Sequence, residues 1–229
     1  MDELERAKRA AGEAAAALVG DGQVVGLGTG STTRYVIEAL GRALAEGRLS
    51  GVRGVPTSLA SERLARAVGI ELVELGADGV DVAIDGADEI DPSLDAVKGL
   101  GAALTREKIV AAAARRFVLV ADATKRVGRL GERAPVPVEV LAFGWRRTAA
   151  ALARLGAQPT LRGGEAAPIL TDNGHWVLDC HLSPGFDADR FAAAASATPG
   201  VIEHGLFLGM ADDAFIASAS GVEHLRRPS

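Results

Sequence analysis

The sequence predicts an α/β fold: a Rossmann-like parallel-sheet domain followed by a smaller α+β domain in the ferredoxin-like βαββαβ order. Three observations predict it. Short apolar runs alternate with amphipathic stretches over residues 1–130, which implies a mostly parallel sheet covered by helices on both faces. The pattern then changes, across a Pro- and charge-containing stretch at 131–137, to strand, helix, two strands, helix, strand. A last apolar run at 214–218 reads like the first part again and is expected to rejoin it. The expected domains are 1–130 with 208–229, and 131–207.

The elements follow in order. Leu4, Ala7, Ala11, Ala14, Ala15 and Leu18 recur at helical intervals and predict a helix over 2–19, ended by Asp21-Gly22. A buried strand over 23–27 turns through Gly28-Thr29-Gly30-Ser31-Thr32-Thr33 into a helix over 32–46. Strand 51–55 runs into Pro56-Thr57-Ser58, and a helix follows to Gly69. Strands are expected over 70–75 and 80–84, a helix from Thr105, and a strand over 117–121. In the second part the expectations are strand 136–141, helix 145–155, a strand near 159–162, a hairpin of 169–171 with 175–182, helix 187–197 and strand 201–210. Asn173-Gly174 carries the hairpin, because both residues tolerate positive φ.

Composition narrows the function. A net charge of −5, with no basic run, argues against a nucleic-acid-binding face. The longest apolar stretches are broken by Gly, Asp or Arg, so no membrane-spanning helix is expected. The N-terminus is acidic from its second residue, unlike a signal peptide. Cys180 is the only cysteine, which excludes an internal disulfide and fits a reducing, cytoplasmic setting. It lies in an apolar strand pattern and is expected as a small core residue. The four histidines form no metal-binding spacing, and no metal site is expected.

The chemistry concentrates in a few stretches. The glycine turn after the first strand does not fit a dinucleotide fingerprint: from Gly26 the third glycine position is Ser31, and from Gly28 it is Thr33. No Gly-Lys-Ser/Thr follows, so it is not a Walker loop either. Its hydroxyls, Thr29, Ser31, Thr32 and Thr33, at a helix N-terminus make an anion cradle. A helix cap would account for one of them.

Further on, Asp85-Gly86-Ala87-Asp88-Glu89 ends an apolar run, with Asp85 at the strand's lip. Its carboxylates can accept hydrogen bonds from a polyol, and the small Gly86-Ala87 pair lets a ligand approach. Asp91-Pro92 reads more blandly as a solvated loop with a cap, and Glu89 can be read the same way. Lys98 opens the turn Gly99-Leu100-Gly101, and Glu107 stands in a helix's first turn with Thr105 as the expected N-cap. Alone, Lys98 would be a surface lysine and Glu107 an acid suited to the helix dipole. Their interest lies in the crevice at the carboxyl ends of parallel strands, where ligands bind in open α/β sheets.

These motifs, Gly26-Leu27-Gly28-Thr29-Gly30-Ser31-Thr32, Asp85-Gly86-Ala87-Asp88-Glu89, the run from Lys98 to Lys108, and Thr171-Asp172-Asn173-Gly174, resemble in order and spacing those of the ribose-5-phosphate isomerase A family. One departure is Leu100, where the family pattern often has glycine. The resemblance implies interconversion of D-ribose 5-phosphate and D-ribulose 5-phosphate in the pentose phosphate pathway without metal or organic cofactor. It implies a homodimer or homotetramer with the small domain contributing to assembly, and no nucleic-acid or membrane partner.

By motif position Glu107 would be the acid/base, with Asp85 and Lys98 also catalytic. Thr29, Gly30, Ser31, Thr32, Asp85, Gly86, Ala87, Asp88, Lys98, Gly99, Leu100 and Gly101 would line the substrate site. Lys125 and, more weakly, Lys8 would add contacts. Other enzymes on a related scaffold, such as a sugar-phosphate deaminase or a CoA transferase, are alternatives. So is a non-catalytic sugar-phosphate sensor. A deaminase should carry a histidine near its acid/base, and residues 80–130 contain none.

Overall fold

The computed structural model describes residues 2–228. In chain order its elements begin α1 (Glu3–Ala16), β1 (Val24–Leu27), α2 (Thr33–Ala45), β2 (Arg53–Pro56), α3 (Leu59–Ala67), β3 (Glu71–Leu72) and β4 (Val82–Gly86). They continue β5 (Glu89–Ile90), β6 (Ala96–Val97), α4 (Leu104–Ala112), β7 (Phe117–Asp122), the 3-10 turn Ala123–Lys125 and β8 (Val136–Val140). The last elements are α5 (Trp145–Arg154), β9 (Ala157–Leu161), β10 (Trp176–Leu182), α6 (Ala188–Ser196), β11 (Val201–His204), β12 (Leu206–Phe207), β13 (Asp213–Ser218) and β14 (Gly221–Arg226).

Two compact units result. The first comprises Met1–Ala87, Arg106–Lys125 and Gly209–Ser229; the second comprises Asp88–Thr105 and Arg126–Leu208. In the first, a seven-stranded sheet has the order β14-β13-β7-β4-β1-β2-β3. All its pairings are parallel except β13 with β14. Central strands are buried on both faces and read as continuous apolar runs, as in Phe117-Val118-Leu119-Val120-Ala121. Val25, Leu27, Ile37, Leu40, Val82, Ile84, Val118 and Val120 form the core with Ala15 and Ala65 from the helices. Asp2 caps α1 by accepting from the Glu5 N–H at 2.8 Å, and Ser58 with Ser61 forms a capping box on α3.

The second unit carries a four-stranded antiparallel sheet in the order β11-β8-β10-β9. Its chain order, β8-α5-β9-β10-α6-β11, is the split motif the sequence predicts. Leu152 of α5 and Phe191 and Ala195 of α6 pack on Val138, Val140, Leu178 and Cys180. A separate three-stranded sheet, β12-β6-β5, completes the unit.

Several expectations change. Residues 88–105 cluster with the second unit rather than the first, because β5 and β6 pair with β12. The 131–137 stretch is not a passage between units; of the four points at which the chain changes unit, the nearest falls between Lys125 and Arg126. Glu89 is not solvated: it is 1% exposed, and its carboxylate accepts from the N–H groups of Gly131, Arg133 and Ala134 at 2.6–2.7 Å.

The run 201–210 breaks at Gly205 into β11 and β12, which belong to different sheets. The 169–171 side of the hairpin reduces to one bridge, Leu170 with Trp176. In its turn Gly174 alone takes positive φ, 80°, the left-handed residue that closes a three-residue hairpin loop. The final strand β14, which the sequence pattern does not signal, is an exposed edge.

Candidate active site

The first unit gathers its polar groups where the parallel strands end. Beyond β1 lie Gly28 and Thr29, beyond β2 Thr57 and Ser58, at the end of β4 Asp85 and Gly86, and at the end of β7 Asp122. Parallel strands share one direction, so these ends form one edge of the sheet.

Gly28 is required there. A Cβ on it would stand 2.2 Å from Asp85 Oδ1 and 2.6 Å from Asp85 Cα. With no side chain in the way, Asp85 Oδ1 accepts from the Thr29 N–H at 2.9 Å and the Gly86 N–H at 2.7 Å. The Asp85 side chain is buried, and its second oxygen, Oδ2, is also out of solvent. The carboxylate is thus locked by backbone donors to the turn that the sequence singles out.

Of the turn's hydroxyls, Thr29 Oγ1 donates to Ser58 Oγ and shares a hydrogen bond with Thr57 Oγ1, both 2.8 Å. Thr33 Oγ1 reaches the Thr29 carbonyl at 3.5 Å, and the α2 N-cap Thr32 makes no side-chain cap bond. Gly30 and Ser31 are exposed. Thr57 and Ser58 are partners of this turn that the sequence reading misses. Their position just past β2, on the sheet's carboxyl edge, is the signal that could have found them.

Glu107 reaches the same edge by a different route. Helix α4 links β4 to β7 and must run against the strands, so its N-terminus lies at their carboxyl end. It packs tightly over β1: a Cβ on Gly26 would meet Val110 Cγ1 at 2.5 Å and Ala83 Cβ at 2.8 Å. Glu107 is about one helical turn, ~5 Å, before Val110. Gly28 is two strand residues, ~7 Å, beyond Gly26. Both steps lead toward the same end, so Glu107 lies on α4 toward the carboxyl end of the strands. It is 4% exposed, with Oε2 buried. Thr105 is not the N-cap, since α4 begins at Leu104 and the Thr105 hydroxyl donates instead to Glu139 Oε2 at 2.5 Å.

The two other candidate lysines, Lys8 and Lys125, also belong to this unit. Lys125 ends the 3-10 turn after β7, which Asp122 holds by accepting from Thr124 N–H at 3.0 Å. Lys8 on α1 pairs with Glu5 Oε1 at 3.0 Å. The other Glu5 oxygen accepts from Tyr35 Oη at 2.6 Å and Arg34 Nη2 at 3.1 Å, next to the start of α2. The Tyr35 and Lys8 hydrogen bonds hold Glu5 below the usual carboxylate range, and Glu5 in turn pushes the Tyr35 hydroxyl up.

The remaining candidates lie in the second unit. Lys98 is not a surface residue: it is 2% exposed, and its ammonium lies 5.3 Å from the centre of the Phe207 ring. Its N–H donates to the Gly205 carbonyl at 2.8 Å. In the following turn Gly99 has φ 108° and Ala102 φ 58°, whereas Leu100 needs no positive φ. Leucine therefore fits at 100, where its side chain is exposed and its N–H donates to Asp88 Oδ2 at 2.9 Å. The carbonyls of Gly99 and Leu100 accept from Arg162, a partner that the sequence does not single out.

The motif at 171–174 serves a buried carboxylate. Glu139, 0% exposed, accepts from Thr171 Oγ1 at 2.9 Å and Asn173 Nδ2 at 3.2 Å, and pairs with His175 Nδ1 at 2.8 Å. Among the described residues no three His, Cys, Asp or Glu side chains are grouped to hold a metal ion, and no helix is long and apolar enough to cross a membrane.

Residues 53–221 match the family model for ribose 5-phosphate isomerase A (phosphoriboisomerase A). The ribose-5-phosphate isomerase A of Deinococcus radiodurans is 51% identical over 225 residues, covering 98% of this chain and all of the relative. The solved ribose 5-phosphate isomerase A of Methanocaldococcus jannaschii superposes with a TM-score of 0.91 at 38% identity, covering 97% of this chain and 99% of that one. A D-ribose-5-phosphate isomerase in complex with phospho-erythronic acid does so with 0.94 at 39% identity, covering 99% and 100%. The chain belongs to the ribose-5-phosphate isomerase A family.

Proposed function

We propose that this chain interconverts D-ribose 5-phosphate and D-ribulose 5-phosphate through an enediolate, in the non-oxidative branch of the pentose phosphate pathway. The observation that carries the reading is a buried glutamate, Glu107, in the first turn of α4, on the side of the sheet where β1 and β4 end in Gly28 and the buried Asp85. Aldose–ketose isomerisation moves a proton between C2 and C1. One carboxylate over that plane can take it from one carbon and return it to the other. Glu107 is assigned that role; triosephosphate isomerase, which catalyses the same class of reaction, also uses a glutamate base.

The enediolate oxyanion needs a preorganised positive group, and Lys98 with the amides of its turn is assigned to it. Asp85 is assigned to proton relay during ring opening and between the two oxygens. Gly86, Ala87 and Asp88 are assigned to the sugar hydroxyls. The phosphate is assigned to Thr29, Gly30, Ser31 and Thr32 at the start of α2, with Lys125 and Lys8. A homodimer or homotetramer is proposed, with the second unit contributing: its Phe143 is 94% exposed and Leu141 and Leu155 are exposed nearby in sequence. A cytoplasmic setting is proposed on the strength of the single, buried cysteine.

The reading is tested by adding ribose 5-phosphate in D₂O with a chelator present and following the sugar by proton NMR. Ribulose 5-phosphate should form, with solvent deuterium entering at the carbons that exchange the proton. Absence of ribulose 5-phosphate would overturn the assigned activity. Conversion with no deuterium at either carbon would point to a hydride shift instead of an enediolate.

A further inference from the structure

We propose that Arg162 is a positioning residue that, held by Asp179, fixes the peptide planes of the 99–101 turn; that the turn serves the oxyanion rests on the function proposed above. Arg162 follows β9 and its side chain is 14% exposed. Its Nε donates to Asp179 Oδ2 at 2.9 Å and its Nη2 to Asp179 Oδ1, a two-pronged pair across neighbouring strands. That pairing fixes the guanidinium plane, because the fork and the carboxylate match in geometry. The remaining nitrogen, Nη1, donates to two successive carbonyls, Gly99 O at 2.9 Å and Leu100 O at 3.0 Å.

The consequence follows from peptide geometry. In a trans peptide the C=O and the next residue's N–H point in opposite directions, and no cis bond occurs among the described residues. Gathering both carbonyls on Arg162 therefore turns the N–H groups of Leu100 and Gly101 to the other side. The Leu100 N–H is engaged by Asp88, and Gly101 is exposed at the tip of the turn. Gly99, with φ 108°, supplies the backbone that lets two carbonyls face one cation. Lys98 itself is held separately, through Gly205 and beside Phe207. Loss of Arg162 should thus free the peptide planes of the turn while leaving the lysine stem in place. A lysine at 162 keeps the charge but cannot clasp Asp179 with a fork and reach both carbonyls at once.

The test uses Arg162→Lys in the full chain, with Asp179→Asn as a second variant should the first fold poorly. Amide hydrogen exchange at Leu100, whose N–H donates to Asp88, reads the order of the turn independently of any reaction. It should quicken at least tenfold while the core amides of β8 and β10 keep their protection. With ribose 5-phosphate, kcat should fall about ten- to hundredfold with KM within about twofold, the pattern of a lost transition-state interaction. Binding of phospho-erythronic acid, whose carboxylate resembles the enediolate, should weaken by a similar factor, and binding of inorganic phosphate should not.

Unchanged exchange at Leu100 would overturn the proposal, as would a wild-type kcat. A parallel loss of kcat, KM and melting temperature would overturn it too, by making Arg162 merely structural. If the wild-type protein does not convert ribose 5-phosphate, the proposed function falls by itself, and exchange still decides whether Arg162 orders the turn.

Discussion

A single methyl group would disturb the site at Gly28. The Cβ of Gly28→Ala would press on Asp85 at 2.2 Å from its carboxylate and 2.6 Å from its backbone, so strand β4 and not only a flexible tip must move. The variant should fold with about 1–3 kcal/mol less stability, an overpacking cost. Its kcat/KM should fall at least tenfold, checked by denaturation and steady-state assay. Near-normal turnover would show that the Asp85 placement does not matter.

The residue types of Asp85 and Glu107 were legible in the sequence, since each follows directly from an apolar run or opens a helix. The burial of Lys98 was not, because a lysine in a glycine turn carries no local sign of the strands that cover it. Cys180 is the core residue that its apolar strand pattern predicts. Burial, with the nearby Asp179 charge, pushes its thiol up to about 12, so it should resist alkylation in the native state and react on unfolding.

At the scale of elements, helix α4 is set by two anchors. One is Gly26, which lets Val110 sit on β1. The other is Glu139, which receives Thr105 at the helix start together with Thr171, Asn173 and His175. Removing a buried acceptor strands its donors at about 1–3 kcal/mol each. Glu139→Ala should therefore lose about 3 kcal/mol or more, and Glu139→Gln less, measured by chemical denaturation. A stability within about 0.5 kcal/mol of the parent would contradict a network role for Glu139.

The long strands and helices were readable from periodicity and glycine breaks. The two-residue strands β5, β6 and β12 were not, because so short a run has no period and its partners lie far along the chain. Thr105 looks like a cap for the same reason. Only the fold shows that its hydroxyl is taken by Glu139.

For the molecule as a whole, the change of pattern after residue 130 announces a second unit, but the return of residues 88–105 to it depends on pairing that no local signal encodes. Edge strand β14 is tied in by charge. Burial alone pushes the Asp213 carboxyl up, but hydrogen bonds from Arg116 Nε at 2.7 Å and His224 Nε2 at 2.6 Å hold it below its usual range. A carboxylate with a depressed folded pKa stabilises above its unfolded value of about 4, and that stability is lost as pH falls through the folded value. Asp213→Asn should therefore be less stable than the parent at pH 7, with the gap closing as the pH falls below the unfolded value of about 4 and through the lower folded one. A gap that stays constant as the acid is protonated would remove the charge from the explanation. If the proposed assembly uses the exposed Phe143, Phe143→Ser should shift sedimentation toward the monomer without changing the fold.

The most direct measurement is the steady-state turnover of Glu107→Gln on ribose 5-phosphate, with binding of the sugar phosphate measured alongside. The amide keeps the size of the side chain and removes its capacity to take a proton. The expected result is a kcat lower by about 10²–10⁴-fold with binding within a few-fold of the parent. A kcat within tenfold of the parent would contradict Glu107 as the acid/base, and the centre of the site would have to be sought elsewhere.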